Sequence, residues 1–196
     1  MEWLKETRMA EIRFGGYGGQ GIVRSGIIAG MAASIYDSKF ATMSQSFGPE
    51  ARGGACSSQL VVSETKVLYP YVTKSDVLVA MSQEAYDKFE PELNESKGLL
   101  LYDVDLVKPN PSRGNIKEYA IPATRFAEEL GRKIVANVVM LGFFTAITKI
   151  VSHDSMTKAV PKSVPEKAIE LNMKALERGY EYGLELLKKH TVTQKS

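Results

Sequence analysis

Glu11-Ile12-Arg13-Phe14-Gly15-Gly16-Tyr17-Gly18-Gly19-Gln20-Gly21, together with the small-residue-rich run from Ile22 to Tyr36, decides the fold. A short strand-like run feeds a glycine turn, and the turn opens a helix. Many α/β proteins hold a phosphate this way. Glycine lets the backbone come close, and the first free N–H groups of the helix point at the anion. Gly16, Gly18 and Gly21 also satisfy G-x-G-x-x-G. The competing reading is that these glycines only let helix and strand pack closely. Four glycines among the six residues Gly16–Gly21 are more than packing alone requires.

The rest of the nicotinamide signature is missing. A dinucleotide fold places an acid at the end of its second strand, roughly 20 residues on, to bind the ribose. The next strand-like run here, Lys39 to Ser46, ends in Ser44-Gln45-Ser46-Phe47 and offers no carboxylate. Asp37 precedes that run, at the wrong end. A free-standing NAD-dependent dehydrogenase is therefore disfavoured.

Composition narrows the class. The chain has 196 residues, 44% hydrophobic and 24% charged, which suits one soluble domain over residues 1–196, with a core of about 10–189 and frayed ends at 1–8 and 191–196. A net charge of +2 with scattered basic residues gives no footprint for nucleic acid. The single cysteine, Cys56, forbids an intramolecular disulfide and cannot by itself ligate an iron–sulfur cluster, which needs four thiolates. The two histidines, His153 and His190, fall near helix ends with no metal-ligand spacing. Residues Met1 to Arg8 show no secretory signal, and the longest apolar run, Ile134 to Ile150, is too short and too interrupted by polar residues to span a membrane. A cytoplasmic location and no membrane contact are expected.

Strand signals fall at Glu11–Phe14, Lys39–Ser46, Ser57–Ser63, Val67–Tyr69, Val77–Ser82, Leu99–Tyr102 and Ile116–Ala120. Helix signals cover Ile22–Tyr36, Gln83–Leu93, Ala123–Leu130, Val135–Ile150, Ser155–Ala159 and Glu166–Lys189. Strands alternate with helices to about residue 121, and helices dominate afterwards. That order predicts an α/β fold, a three-layer Rossmann-like α/β/α sandwich with C-terminal helices. The short link Glu64-Thr65-Lys66 suggests a hairpin of Ser57–Ser63 with Val67–Tyr69, so the mostly parallel sheet is expected to be mixed. Gly179 and Gly183 in the last helix suggest a close helix contact, within the chain in preference to a subunit interface.

A second unusual segment, Ser44 to Gly54, follows the second strand and contains Gly48, Glu50, Arg52 and Gly53. A helix belongs there in a βαβ unit, yet the segment reads as a loop. Arg52, beside Gly53-Gly54, can present its planar fork to a phosphate or carboxylate. This loop and the glycine loop are expected to face one crevice from the ends of adjacent strands. Arg24, in the first turn of the glycine-loop helix, opposes the helix dipole unless an anion lies nearby. No Ser-His-Asp set, paired carboxylates or P-loop ending is present. Cys56 reads as a buried structural thiol.

Three co-linear stretches then carry a resemblance: Phe14 to Gly21, Ser46 to Gly54, and Ser75-Asp76-Val77-Leu78-Val79-Ala80-Met81-Ser82-Gln83-Glu84-Ala85-Tyr86-Asp87. Ile121–Thr124, Ala136–Gly142 and Glu170–Tyr180 agree in order. Over residues 10–185 the chain resembles the gamma subunit of 2-oxoacid:ferredoxin oxidoreductases. Arg52-Gly53-Gly54-Ala55-Cys56 and the Ser-Gln-Glu-Ala-Tyr run look most like the 2-oxoglutarate branch. The resemblance implies oxidative decarboxylation of a 2-oxoacid to an acyl-coenzyme A with reduction of ferredoxin, shared with alpha, beta and in some cases delta subunits. Thiamine diphosphate and the iron–sulfur clusters then belong to the partner subunits, and the isolated chain is expected to be inactive, with a homodimer through the Val135–Ile150 helix or a bare sheet edge as one outcome. By the same resemblance, Gly16, Gly18, Gly19, Gln20, Gly21 and Arg24 of the first loop, with Gly48, Glu50, Arg52 and Gly53 of the second, contact coenzyme A or a partner subunit. The alternative function is a scaffold that binds no ligand.

Overall fold

Apolar Ile12 and Phe14 alternate with Arg13, and all three are buried, so both faces of the first strand are covered. The computed structural model describes residues 9–46, 55–67, 69, 71–111 and 114–193. Strands β1 (Met9–Tyr17), β2 (Phe40–Ser46), β3 (Ala55–Ser63), β4 (Val77–Ala80), β5 (Leu99–Asp103) and β6 (Lys117–Ile121) form a 6-stranded sheet in the order β2-β3-β1-β4-β5-β6. β1, β4, β5 and β6 are parallel neighbours, whereas β3 runs antiparallel to both β1 and β2. The sheet is mixed, as expected, but for a different reason. Val67 and Tyr69 lie in no strand. The hairpin instead joins β2 to β3, with Phe40 opposite Ser63 and Ser46 opposite Ser57. β1 and β2 are thus not adjacent, because β3 lies between them. The glycine loop and the two described ends of the second loop, Ser46 and Ala55, still reach the same edge, since Tyr17 pairs with Ala55, where β3 begins.

Among the described residues six helices follow the sequence signals, with boundaries shifted by a few residues. They are α1 (Ile22–Met31), α2 (Gln83–Phe89), α3 (Ala123–Glu129), α4 (Ala136–Thr148), α5 (His153–Lys162) and α6 (Ile169–Thr193). α1 passes into a π-helical turn, Ala32–Tyr36. α6 runs past Lys189, where the sequence suggested an end, to Thr193. Ile12, Phe14, Val77, Val79, Leu99 and Leu101 point into the larger core under α1, α3, α4, α5 and α6. Leu78, Ala80 and Leu100 point to the other face, under α2. Each fully buried Leu, Ile or Phe stabilises the fold by about 2 kcal/mol. Arg13 is buried on the α2 face, where it pairs with Glu92 at 2.6 Å, donates to the Val72 carbonyl at 3.2 Å and lies over the Phe89 ring. Among the described residues no helix is long and apolar enough to cross a membrane.

Every residue of α4 is buried. It is a core helix, so the dimer expected through Val135–Ile150 has no free surface there. α6 crosses α4 with backbones in contact. A Cβ on Gly179 would lie 1.8 Å from the Val139 carbonyl oxygen, and one on Gly142 would lie 2.0 Å from that of Leu176. Alanine at Gly179 gains about 1 kcal/mol in helix propensity but forces the helices apart at a larger cost. We expect Gly179→Ala to lose about 2 kcal/mol net in urea unfolding.

At the sheet edge away from the glycine loop, Asp37 fastens α5. Its carboxylate accepts from the Ser152 N–H at 2.7 Å and from the Ser152 and Ser155 hydroxyls, each at 2.6 Å. The turns on either side hold Ser38 (φ 56°) and Lys149 (φ 55°) in the left-handed region. Burial raises the Asp37 pKa, but the hydrogen bonds from Ser152 and Ser155 outweigh it and leave the carboxyl below its ordinary 3.8. A depressed pKa contributes stability that is full above the unfolded-state value and fades as pH falls through the folded one. Asp37→Asn should therefore cost about 1 kcal/mol at pH 7, and urea titrations should show its difference from the parent shrinking only below the ordinary carboxylate pKa of 3.8.

Candidate functional site

Gln20 closes the glycine loop and ties it to the next strand. Gln20 Oε1 accepts from the Tyr17 N–H at 2.7 Å, and Gln20 Nε2 donates to the Met81 carbonyl at 2.8 Å. Met81 directly follows β4, so Gln20 braces the ends of the two central parallel strands. The Gln20 N–H also donates to the Tyr17 carbonyl at 3.2 Å and closes the turn. Gly19 (φ +93°) and Gly21 (φ +78°) take backbone angles that favour glycine. Gly21 caps α1, and its carbonyl accepts from the Ser25 N–H at 2.9 Å and from Asn137 Nδ2 at 3.3 Å.

The two readings of the glycines divide by position. A Cβ on Gly16 would stand 2.5 Å from Gln20 Oε1, and one on Gly21 would stand 2.5 Å from Asn137 Nδ2, so these two serve packing. Gly18 and Gly19 face open space, with no atom within 4 Å of an added Cβ. Neither is needed for packing, and both leave the loop backbone bare toward solvent.

Two cavities flank that bare backbone. One, of 450 Å³, is lined by Gly18, Gly19, Arg24, Ile27, Cys56 and Asn137 among others. The second, of 280 Å³, is lined by Gln20, Met81, Thr124, Lys133 and Ala136. Both share Gly19 and Ile134. They lie at the carboxyl ends of β1 and β4, where strand order reverses, the position at which open α/β sheets bind ligands. Among the described residues no acid lines either cavity, while Arg24 and Lys133 do. The N-caps of α1 and α4, Gly21 and Val135, supply no side-chain hydrogen bond, and neither helix has an acid in its first turn. The crevice therefore combines two side-chain cations with the open N-terminus of α1, whereas a 3₁₀ turn, Lys133–Val135, leads into α4 and its Lys133 carbonyl accepts the Ala136 N–H.

The surrounding groups are fixed. Asp103 accepts from the Thr124 N–H at 2.8 Å and the Thr124 hydroxyl at 2.6 Å, which sets the start of α3 beside the second cavity. Burial holds the Asp103 pKa above the usual 3.8 despite these bonds. Cys56 is buried in β3, and desolvation pushes its thiol above 9.0, so at neutral pH it is an unreactive thiol at the cavity wall.

Of the residues expected here, Gly16, Gly18, Gly19, Gln20, Gly21 and Arg24 come together at this edge. The Gln20 amide is engaged with the chain at both ends. Gly48, Glu50, Arg52 and Gly53 lie outside the described residues, although the ends of their loop, Ser46 and Ala55, reach the same edge. Sequence reasoning missed Asn137, Ile134 and Lys133. Asn137 left one signal, a polar residue inside the longest apolar run.

A family model for pyruvate ferredoxin/flavodoxin oxidoreductase matches residues 11–182. The 2-oxoglutarate synthase subunit KorC of Methanocaldococcus jannaschii is 48% identical over 90% of this chain and 95% of its own length. The keto/oxoacid ferredoxin oxidoreductase gamma subunit of Geobacter sulfurreducens superposes with a TM-score of 0.80 at 46% identity, covering 90% of this chain and 99% of that one. The 2-oxoglutarate:ferredoxin oxidoreductase of Magnetococcus marinus, solved with 2-oxoglutarate, coenzyme A and succinyl-CoA bound, superposes with a TM-score of 0.80 over 91% of this chain and 31% of that one. At 23% identity, that last likeness is one of fold. A sheet with this strand order, a glycine loop at its switch point and a match across nearly the whole described chain lead to one conclusion: the chain belongs to the pyruvate ferredoxin/flavodoxin oxidoreductase family, among its gamma subunits.

Proposed function

We propose that this chain is the gamma subunit of a 2-oxoglutarate:ferredoxin oxidoreductase and that the crevice over its glycine loop holds the phosphates of coenzyme A. The complete enzyme would convert 2-oxoglutarate, coenzyme A and oxidised ferredoxin into succinyl-CoA, CO₂ and reduced ferredoxin. The carrying observation is the pairing of bare Gly18–Gly19 backbone with Arg24 and the uncapped N-terminus of α1, in a crevice whose described lining has no acid. Such a surface favours a polyanion. The similarity to a 2-oxoglutarate synthase subunit supports the choice of oxoacid.

The redox chemistry belongs to the partner subunits. With Cys56 as its single cysteine, this chain lacks the four thiolates of an iron–sulfur cluster, and its described residues hold no metal-binding group of His, Cys, Asp and Glu. The described lining of neither cavity offers the carboxylate that a thiamine diphosphate–metal site would use. The chain's own contribution is to bind and orient the acyl acceptor.

One observation favours a scaffold role instead. Ile134 is 65% exposed, Ile27 44% and Tyr17 38%, so apolar side chains rim the crevice and a partner subunit could cover them. Two substitutions separate the readings. Arg24→Ala should raise the KM for coenzyme A about tenfold in the assembled enzyme while the complex elutes intact in gel filtration. Dissociation of the complex with an unchanged KM would favour the scaffold. Gly18→Asp adds a side chain into open space, so its melting temperature should stay near the parent's. The carboxylate it places beside the phosphates should weaken coenzyme A at least as much as Arg24→Ala does.

A further inference from the structure

The crevice is divided, with one cation on each side of the division. Ile134 stands between the two cavities and lines both. Arg24 lies on one side, with the first turn of α1. Lys133 lies on the other, beside Thr124 and Ala136. The neighbour of Lys133 is Glu128, at 3.7 Å, and the side chains are 66% and 55% exposed. A pair so solvated and so far apart holds its partners weakly, which leaves the ammonium group able to turn to a ligand. Nothing in the fold explains a largely exposed isoleucine between two cations, but a flat apolar ligand surface laid across it would.

We infer that Lys133 reads the 3′-phosphate of coenzyme A and so sets the preference for coenzyme A over forms lacking that group. This rests on the proposed crevice and deepens it. The diphosphate needs several donors at once, and the bare loop with the N–H groups of α1 and the Arg24 fork offers them. The 3′-phosphate is a single dianion on the ribose, and a flexible point charge such as lysine suits it. The ribose and adenine, which join the two phosphate sites, then cover Ile134. Asn137, bonded to the Gly21 carbonyl, fixes α4 against the glycine loop and so sets the spacing between the two sites.

The test compares coenzyme A with dephospho-coenzyme A, which differ only in the 3′-phosphate, in the complete multi-subunit enzyme. Parent, Lys133→Met, Lys133→Arg and Arg24→Ala are assayed for the KM of each, with gel filtration to confirm assembly. Lys133→Met should raise the KM for coenzyme A about five- to tenfold, leave that for dephospho-coenzyme A unchanged and so collapse the preference, and Lys133→Arg should restore most of it. Arg24→Ala should raise both values together and preserve their ratio. A preference untouched by Lys133→Met, with both values still raised by Arg24→Ala, would overturn the role of Lys133 and leave the crevice standing. If no variant moves either KM, the crevice reading fails as well. A structural role for Lys133 would shift both substrates alike and would equally overturn the inference.

Discussion

The architecture depends on the complete burial of α4. A helix apolar on every side has no stable place at a surface and must be enclosed. The sheet encloses it from one side, where Phe144 meets Phe14 with ring centroids 5.5 Å apart. α6 encloses it from the other, and only glycine at Gly142 and Gly179 lets the two backbones come that close. α1, α3 and α5 fill the flanks. The same burial delivers the site. The N-terminus of α4 stops against the glycine loop, carrying Asn137 to the Gly21 carbonyl and placing Lys133 and Ile134 at the crevice.

The glycine loop shows why a motif has to be divided residue by residue. Gly16 and Gly21 make room for neighbours, Gly19 and Gly21 supply left-handed backbone, and Gly18 and Gly19 leave the main chain uncovered. The electrostatics follow from the fold and not from net composition, which at +2 is nearly neutral. The N-terminus of α1 carries no acid, and Arg24 sits where a cation is otherwise unfavourable.

Much of this was legible in the sequence. The strand–glycine–helix pattern fixed the class, and strand and helix signals found all six strands because apolar alternation and breakers marked their limits. The resemblance across residues 10–185 reached the family, which the match over residues 11–182 shows. The additional strand at Val67–Tyr69 was wrong because local β-branched and aromatic content does not reveal a pairing partner. β3 had already paired on both sides, with β1 and β2, so no edge remained for it. The insertion of β3 between β1 and β2 was equally hidden, because strand order is set by contacts far apart in sequence. Asn137, Ile134 and Lys133 were missed for a related reason. They approach the loop from more than a hundred residues away, and no local spacing encodes that meeting.

The strand order also governs how the molecule can be assembled during synthesis. β1 leaves the ribosome first, yet its two neighbours in the sheet, β3 and β4, are the third and fourth strands made. Ile12 and Phe14 therefore wait unpaired until β3 has emerged to Ser63, and keep one open side until β4 has emerged to Ala80. Even then α1 alone covers the larger-core face, because α4 and α6 come last, and the other face waits for α2. The crevice, whose walls include both Gly18 and Asn137, is among the final features to close. A nascent chain of this kind presents hydrophobic surface for most of its translation, which makes early chaperone contact or prompt encounter with partner subunits a kinetic requirement built into its connectivity.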